Sequence, residues 1–480
     1  MSETPPISRC CLPTILIAWL LCITACTVGP DYRQPDTNMP EKFAETIQTE
    51  YRPGTVEIAW WKQFGDARLE KLVEQAVRGN RDLRAAEARL REARALLLDA
   101  GLELLPTVTT HANYTTQKRS LDALNRRNFV PRDLRLYNVG FDAVWEADFF
   151  GRLRRNLEAK QAELEVSAAD RRDLLVTLIS EIARNYFLLR GHQNQLAVAR
   201  NNAENQGSTL RFTQARLEGG VGTELDTARA LSLLSTVQAT IPPLQALVHE
   251  DIHRISVLTG KPPVALMGEL GKPEALPRLP SSLKIGKPGD LLRRRPDIRA
   301  AERSLAAATA SIGVITADLF PRVTFQGTIA LESVGFVSLG TAGSETFNAG
   351  PRIFWAAFDL AQVRARIRSA DARAETRLAE YEQTVLEALE ETENALVTYH
   401  QQRARSVLLT GAEQAAAAAL ALARIRYEEG ISDFLTVLDA ERSLLENRRQ
   451  LAENQTAEAT ALVALFKALG GGWEVFEPKG

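Results

Sequence analysis

The chain contains two copies of one long unit. The hexapeptide DLRAAE at residues 82–87 returns as DIRAAE at 297–302, and the likeness runs on to Pro106 and Pro321. Two more pairs of stretches follow in the same order: YNVG at 137–140 and Trp145 match FNAG at 347–350 and Trp355, and EGG at 218–220 matches EEG at 428–430. A repeat of this length means that function must come from what two such units, or symmetric copies of them, can build.

The first 25 residues have the features of a secretory signal. Residues 10–25 are almost wholly apolar, a run of signal-peptide size that is short for a bilayer span. The run ends in ITAC at 23–26, which matches the lipobox of bacterial lipoproteins and predicts a covalent lipid on Cys26. A plain cleaved signal or a short anchor helix is the alternative, and Pro13 argues against the anchor. Thr27 follows the cysteine in place of the aspartate common in inner-membrane lipoproteins, which favours the outer membrane.

Composition excludes several classes of function. All four cysteines lie in or at the end of the leader, so no disulfide is expected in the mature chain. The chain has 58 Lys and Arg against 60 Asp and Glu. It therefore has no excess positive charge to attract nucleic acid, and a nucleic-acid-binding protein is not expected. After Cys26 nothing resembles a transmembrane helix, so any membrane-spanning part is expected among strands.

Two long proline-free stretches predict helices. No proline lies between Pro131 and Pro242 or between Pro351 and Pro478, and the pattern is helical over 152–218 and 362–428. At 1.5 Å per residue each would be about 100 Å long if unbroken, roughly three times the hydrocarbon thickness of a bilayer. Apolar residues step by four and three, as in packed helices, so we interpret both as water-facing stalks. These positions are Leu175, Ile179, Ile182, Tyr186 and Leu189, then Val385, Leu389, Thr392, Leu396 and Tyr399.

Each copy also has two segments that alternate with period two. They lie at about 105–118 and 135–149 in the first copy and at about 321–333 and 346–359 in the second. About ten residues with one apolar face and aromatic ends suit a strand of a membrane barrel. Four strands in an open sheet would leave bare edges in lipid, so closure needs several chains, and three copies give twelve strands. An ordinary soluble hairpin packed on the stalk is the alternative.

Several motifs resemble the outer membrane factor (TolC-like) family in its lipoprotein, NodT-type subgroup. They are CTVGPDY at 26–32, WW at 60–61, GDLLRRRPDIRAAE at 289–302 with ADLFP at 317–321, and RY at 426–427 with FLTVLDAER at 434–442. The resemblance implies a mixed α/β membrane protein whose homotrimer forms a twelve-stranded β-barrel in the outer membrane, continued by an α-helical tunnel through the periplasm. It also implies no enzymatic activity and no cofactor beyond the lipid on Cys26.

The resemblance further implies the exit duct of a tripartite efflux pump. A periplasmic adaptor protein and an inner membrane pump would deliver drugs or other small toxic solutes to this duct. The channel of a type I protein-secretion system and a passive outer membrane pore are the alternatives, and a structural stalk would share only the helices.

We divide the chain on this basis. We expect a signal peptide over 1–25, a lipid-anchored segment over 26–59, the first repeat over 60–260, a linker over 261–289, the second repeat over 290–469 and a tail over 470–480. FDLAQ at 358–362 departs from the family's pattern, because a glycine and an arginine are missing at the second strand-to-helix junction, whereas FGR at 150–152 keeps both.

Two glycine-containing stretches interrupt the long helices where each must reverse. A tight reversal needs left-handed backbone angles, which glycine adopts at little cost. The resemblance implies that the periplasmic adaptor docks on these tips; as bare residues they are also consistent with simple helix caps, and the two roles are compatible. The tip residues are Gly220, Val221, Gly222 and Thr223 in the first copy and Gly430, Ile431, Ser432 and Asp433 in the second.

Leu435, Asp439 and Arg442 follow the second tip with spacings of four and three, so they share one helix face. In a threefold ring the leucines can form a dry constriction, and the carboxylates a charged one that attracts cations. Arg442 or Tyr427 can hold each carboxylate against a neighbour, and the resemblance implies that residues at these positions close the tunnel. The alternative, an ordinary surface pair of Asp439 with Arg442, would contribute about 0–1 kcal/mol.

The stretch HEDIH at 249–253 matches the H-E-x-x-H signature of zinc proteases. Such a site needs a third ligand, and the nearest candidates, Glu269 and Glu274, lie beyond Pro262 and Pro263 in an apparent linker. We therefore interpret the match as a coincidence and expect no metal site.

Overall fold

The computed structural model describes residues 27–44, 51–52, 54–120 and 132–477. The predicted signal peptide and Cys26 lie outside the described residues. The chain forms two compact units, each assembled from three stretches. The first unit comprises Met1–Asp36, Leu90–Ser167 and Ala301–Tyr381, and the second comprises Thr37–Arg89, Ala168–Ala300 and Glu382–Gly480. Each unit therefore takes chain from both copies of the repeat.

Most of the described chain is helical. The α-helices are α1 (Ala67–Gly79), α2 (Arg81–Leu102), α3 (Arg152–Glu218), α4 (Glu224–Ala239), α5 (Ile241–Leu258), α6 (Met267–Leu270), α7 (Pro288–Arg294), α8 (Pro296–Thr316), α9 (Leu360–Glu428) and α10 (Phe434–Ala468). Short 3-10 turns cover Trp60–Phe64, Ala317–Leu319, Phe336–Ser338 and Trp473–Phe476. The order reflects the duplication, because α2, α3 and the pair α4–α5 correspond to α8, α9 and α10.

The returning helix is broken in the first copy and continuous in the second. Helix α4 ends at Ala239 and α5 begins at Ile241, with Pro242 and Pro243 in its first turn. Proline has no N–H to donate to the preceding turn, so it is tolerated at a helix start and interrupts a helix interior. Helix α10 has no proline and runs for 35 residues.

Four of the described strands form an antiparallel sheet within the first unit. Its strands are β2 (Thr107–Lys118), β3 (Asp133–Ala147), β5 (Arg322–Ser333) and β6 (Glu345–Phe354), in the order β2-β3-β5-β6. Two-residue strands β1 (Tyr51–Arg52) and β4 (Leu283–Lys284) pair in parallel in the second unit. The central pair β3–β5 joins the two copies of the repeat. Strands β2 and β6 are the edges, and neither edge pairs with another described strand.

Period-two alternation gives the sheet two different faces. Register pairs His111 with Gly140, Asn138 with Glu332 and Thr328 with Asn348, so these residues share one face, which is polar. The opposite face is apolar and exposed in the single chain. It carries Val108, Tyr114, Val139, Phe141, Trp145, Phe325, Ile329, Phe347 and Ile353.

The strand limits differ from the predicted ones chiefly at the end of β6. We expected a strand to about residue 359, but β6 stops at Phe354, and the chain turns before α9 with the N–H of Asp359 donating to Ala356 O at 2.9 Å. The turn leaves Phe358 completely exposed. Helix α9 begins without the glycine that precedes α3, where Gly151 adopts a φ of 79°.

The predicted apolar stripe forms the core of the second unit. All five of its positions on α3 are buried, and on α9 Leu389 alone is half-buried while the other four are buried. Aromatic rings add to this core: Trp60 stacks on Phe466 with ring centroids 5.0 Å apart, and Phe64 meets Phe187 edge-on at 4.8 Å. This packing accounts for the helical spacing that the sequence shows.

One expectation from the sequence was wrong. We expected nothing resembling a transmembrane helix after Cys26, yet Glu224–Leu258 and Leu360–Glu428 each contain an apolar stretch long enough to cross a membrane. Those stretches are only 6% and 11% buried within the chain. Length and composition alone do not separate a membrane span from a helix that packs against other chains, because both need apolar surface that one chain leaves uncovered.

Candidate functional site: the helix reversals and the gate face

The first long helix ends in a glycine motif. The N–H of Val221 donates to Arg216 O at 3.0 Å, and the N–H of Gly220 donates to Leu217 O at 3.0 Å. These two bonds define a Schellman motif, which needs a left-handed residue after the helix. Gly220 supplies it with a φ of 74°.

The second long helix ends in the same way. Ile431 donates to Arg426 O at 2.8 Å and Gly430 donates to Tyr427 O at 3.1 Å, and Gly430 has a φ of 75°. The left-handed glycine predicted at each reversal is therefore present in both copies. The duplicated sequence has kept the same turn at equivalent places.

Each returning helix begins with a side-chain cap. Thr223 Oγ1 accepts from the N–H of Asp226 at 3.2 Å, and Asp433 Oδ1 accepts from the N–H of Thr436 at 3.0 Å. Hydrogen bonds from the Thr436 hydroxyl and N–H hold the pKa of Asp433 below its ordinary value. Caps of this kind contribute about 1 kcal/mol each, so both tips are rigid turns rather than loose loops.

The tips display apolar side chains on these turns. Val221 is 68% exposed and Ile431 is 61% exposed. Gly222 is needed for a different reason from Gly220, because a Cβ on it would lie 2.8 Å from the backbone nitrogen of Leu217. Ser432 Oγ is buried, with no partner among the described residues. Each tip thus presents one exposed branched apolar residue beside a tightly closed backbone.

Three of the four predicted gate residues share an exposed face of α10. Leu435 is 42% exposed, and Asp439 and Arg442 are exposed with it. Neither Asp439 nor Arg442 forms an ion pair or hydrogen bond with a described residue, so the ordinary surface pair considered from the sequence does not form here. One exposed face of α10 therefore carries an apolar residue, an acid and a base, and neither charged side chain has a partner among the described residues.

Tyr427 lies on the other side of the tip. It is 9% exposed and packs in a core with Phe434, its ring 5.4 Å from the Phe434 ring, while the guanidinium of Arg216 lies 4.8 Å above it. Burial raises the pKa of the Tyr427 hydroxyl. Within the chain it therefore packs α9 against α3 and α10.

A buried charged cluster beside the gate escaped the sequence analysis. Glu441, only 2% exposed, accepts from the Arg424 guanidinium at 2.7 Å and from Thr209 Oγ1 at 2.9 Å. It thereby joins α10 to both α9 and α3, one residue before Arg442. One signal was available: Glu441 continues the apolar positions of Phe434 and Leu438 toward Leu444, so a charged residue occupies a core position of the helix.

The start of the described chain docks against the strand-to-helix junction in the first unit. The N–H of Val28 donates to Phe150 O at 3.2 Å, and the buried Arg155 donates to Val28 O at 3.1 Å and to Asp31 at 2.7 Å. A Cβ on Gly151 would lie 2.6 Å from Thr27. The residue that follows Cys26 is thus held where β3 ends and α3 begins.

The zinc-protease pattern does not assemble into a site. The rings of His249 and His253 lie 6.3 Å apart, while Asp251 between them accepts from His192 Nδ1 at 2.7 Å. Glu269 pairs with Lys71, and Glu274 pairs with the buried Arg190. Over the described ranges there is no group of three or more His, Cys, Asp or Glu side chains placed to hold a metal.

Comparison with known proteins identifies the family. The family model for outer membrane efflux proteins matches residues 72–261 and 288–471. The chain belongs to the outer membrane efflux protein family. The two matched ranges of the family model correspond to the two copies of the repeat, and together they cover both tips and the gate face.

Relatives and solved structures agree with this membership. Nodulation protein T of Rhizobium leguminosarum bv. trifolii is 32% identical, over 94% of this chain and 96% of that protein. The solvent efflux pump outer membrane protein SrpC of Pseudomonas putida is 31% identical, over 95% and 97%. The solved outer-membrane channel OprN is 44% identical with a TM-score of 0.88, over 94% of this chain and all of that one.

Family membership confirms three predictions from the sequence. The NodT-type resemblance is confirmed by the relatives, as is the conclusion that the protein is not an enzyme. The relatives and solved neighbours are outer membrane efflux channels, which confirms the broad assignment of this chain to outer membrane efflux. The roles of the individual tip and gate residues stay predictions.

Proposed function

We propose that three copies of this chain form an outer membrane exit duct of a tripartite efflux pump. The observation that supports this most directly is the open sheet, whose edge strands β2 and β6 have no partner among the described residues. Unpaired backbone groups at a sheet edge cannot stay bare in lipid, because each costs several kcal/mol there. Pairing β2 of one chain with β6 of the next closes a twelve-stranded barrel in a trimer.

The two faces of the sheet fit this barrel. The apolar face turned outward meets lipid, and the polar face lines the lumen, which is the arrangement of outer membrane barrels. Aromatic side chains lie toward both ends of the outward face: Tyr114 and Tyr137 at one end, with ring centroids 4.8 Å apart, and Trp145 and Phe325 at the other, with ring centroids 5.8 Å apart. Such belts mark the two membrane–water boundaries.

We propose further that lipid on Cys26 anchors the duct at the inner boundary of the membrane. Support comes from Thr27, which is held at the end of β3 beside Gly151. Helices beyond this boundary extend into the periplasm.

The helix tips serve as the docking points of the adaptor protein, and the exposed face of α10 serves as the gate. In a threefold ring, Leu435 narrows the opening while Asp439 and Arg442 interact with neighbouring chains, which supply the partners that a single chain lacks. The uncovered apolar surface of α4–α5 and α9 is buried between chains. Cargo consists of drugs or other small toxic solutes, by analogy with relatives named for solvent and toluene efflux.

Two measurements on the full-length protein test the proposal. The mass of the detergent-solubilised particle, with detergent subtracted, should equal that of three chains, and a planar bilayer should show discrete low conductance. A monomer without conductance would overturn the duct. A trimer that never conducts would indicate a structural stalk, and a conducting trimer from which no periplasmic adaptor co-purifies would indicate a passive pore.

A further inference from the structure

We propose that the gate region contains a binding site for solutes that carry a primary ammonium group on a small apolar body. The site is a cavity of about 210 Å³ where the end of α3, the end of α9 and the start of α10 meet. Its lining includes Asn205, Phe212, Tyr427, Glu428, Phe434 and Glu441. It lies behind the exposed gate face, within the second unit.

One of the residues that line the cavity is a buried carboxylate with an oxygen that receives no hydrogen bond from the described residues. Glu441 is 2% exposed, and its Oε1 accepts both the Arg424 and Thr209 bonds. Its Oε2 is buried and receives no hydrogen bond from any described residue. A buried acceptor left without a hydrogen bond destabilises the protein, and more so when it is charged. A ligand with an N–H donor removes that cost.

The chemistry of the acceptor favours a cation over a neutral donor. The charged side chains on the lining are the carboxylates of Glu441 and Glu428 and the guanidinium of Arg424, and the Arg216 guanidinium lies 4.8 Å from the ring of Tyr427. Because Oε2 belongs to a carboxylate, an ammonium group supplies the missing donor as a charge-assisted hydrogen bond, which is stronger than a bond from a neutral donor.

The remaining walls suit an apolar body beside the charge. The ring of Tyr427 lies 6.1 Å from that of Phe212 and 5.4 Å from that of Phe434. The Arg216 guanidinium already lies over the rings of Tyr427 and Phe212, so these rings supply apolar surface for the body of the ligand. At about 30 Å³ per water, the cavity has the volume of roughly seven waters, which is room for an arylalkylamine such as phenethylammonium.

Occupancy has a consequence for the gate, and this part rests on the proposed function. Glu441 ties α10 to α3 through Thr209, and it precedes the gate residue Arg442. An amine that binds more tightly when α3 and α10 separate shifts the population toward that separated state. Glu441 is then a specificity-determining residue, because it lets a cationic amphiphile favour its own passage.

Calorimetry on the detergent-solubilised full-length protein tests the site with three matched probes. Phenethylammonium has charge and N–H donors, its N-trimethyl form has charge without a donor, and 2-phenylethanol has a donor without charge. We expect phenethylammonium to bind with a dissociation constant of about 0.1–1 mM, which lies within the limits of affinity for a ligand of this size. The other two probes should bind at least tenfold more weakly.

Variants assign the binding to Glu441. Glu441→Gln should weaken phenethylammonium at least tenfold and leave 2-phenylethanol unchanged, and Glu428→Gln should weaken phenethylammonium less. Glu446→Gln, which alters an exposed carboxylate paired with Arg449 on the same helix, should leave binding unchanged. Should Glu441→Gln fail to fold, Phe212→Ala, which enlarges the cavity and keeps the carboxylate, replaces it and should weaken all three probes.

Two results would overturn the site. Equal affinities for the three probes, or equal affinity of the parent and Glu441→Gln for phenethylammonium, would remove the role of the carboxylate. Absence of saturable binding up to 20-fold above about 1 mM would mean that water alone satisfies Glu441 Oε2. Binding is measured without a bilayer, so a protein that binds amines but does not conduct would refute the duct and keep the site.

Discussion

The indole N–H of Trp145 donates to the carbonyl oxygen of Leu104 at 3.0 Å. The second copy of the repeat contains the same bond, from Trp355 to Leu319, at the same distance. In each copy the bond ties the end of a hairpin to a residue three positions before its first strand begins. The duplication therefore survives at the level of single hydrogen bonds, at the end of the sheet where a membrane boundary is expected.

Replacing either tryptophan by phenylalanine removes this bond and leaves an aromatic ring. A net loss of about 1 kcal/mol is expected at Trp145, whose ring also stacks on Phe325 with centroids 5.8 Å apart. A smaller loss is expected at Trp355, which is 49% exposed and so exchanges its bond readily with water. The temperature at which the oligomer dissociates on a gel measures both. A larger effect at Trp355 than at Trp145 would contradict the argument.

Opening the gate face should change conductance. Truncating Leu435 and Asp439 together to alanine removes both the apolar and the charged constriction, so we expect single-channel conductance in planar bilayers to rise at least severalfold above the parent's. The control is Glu446→Ala, which changes an exposed residue of the same helix and should leave conductance at the parent's value. Unchanged conductance in the double variant would exclude these residues as the constriction.

Glycine at the tip can be tested against glycine in a helix. A Cβ would meet nothing within 4 Å at either Gly430 or Gly411, so the two positions differ only in backbone angle. Gly430 has a φ of 75°, where alanine is strained by about 1 kcal/mol, whereas Gly411 lies inside α9, where alanine is favoured by about 1 kcal/mol. Gly430→Ala should lower the thermal midpoint and Gly411→Ala should raise it. Shifts of the same sign would show that the tip does not need its left-handed residue.

Much of this architecture follows from local sequence pattern. The sequence predicts the limits of α3, the presence of four strands and the left-handed glycines at both tips. Helix period, strand period and turn chemistry each depend on neighbouring residues, so they can be read locally. What resists prediction depends on residues far apart in the chain. Thr209 and Glu441 meet across 232 positions, and no local period indicates that bond or the side of the tip to which Tyr427 turns.

Similar reasons apply to the end of β6 and the break between α4 and α5. The period-two apolar series continues from Ile353 to Trp355, so the period alone does not predict that the strand ends. The strand ends because the chain turns, with the N–H of Asp359 bonded to Ala356 O. Pro242 and Pro243 mark the break clearly, but only comparison with the unbroken α10 shows that the two copies diverge there. The roles of the gate and tip residues depend on neighbouring chains, which no pattern within one chain specifies.

A half-buried acidic cluster in the second unit gives the protein a specific pH dependence. Burial, reinforced by the nearby carboxylate of Asp297, raises the pKa of Asp173 to about 6, while Arg295 and Lys467 oppose the rise. These groups line a cavity of about 140 Å³ together with Glu391. Arg295 forms ion pairs with Asp297 and Glu391, at 2.7 Å each, and Asp173 has no ion pair with any of the described residues.

The sign of the effect follows from comparing the two states. In the unfolded chain Asp173 has a pKa of about 3.9, so between pH 4 and 6 the folded protein holds a proton that the unfolded chain releases. The contribution of this group is complete below about pH 4 and is lost as pH rises through 6, by about 1 kcal/mol once partial solvation is allowed for. Asp173→Asn, which stays neutral, should therefore match the parent's thermal midpoint at pH 4 and exceed it at pH 7.5. An Asp173→Asn midpoint that stays a constant distance from the parent's across this range would mean that Asp173 titrates alike in both states.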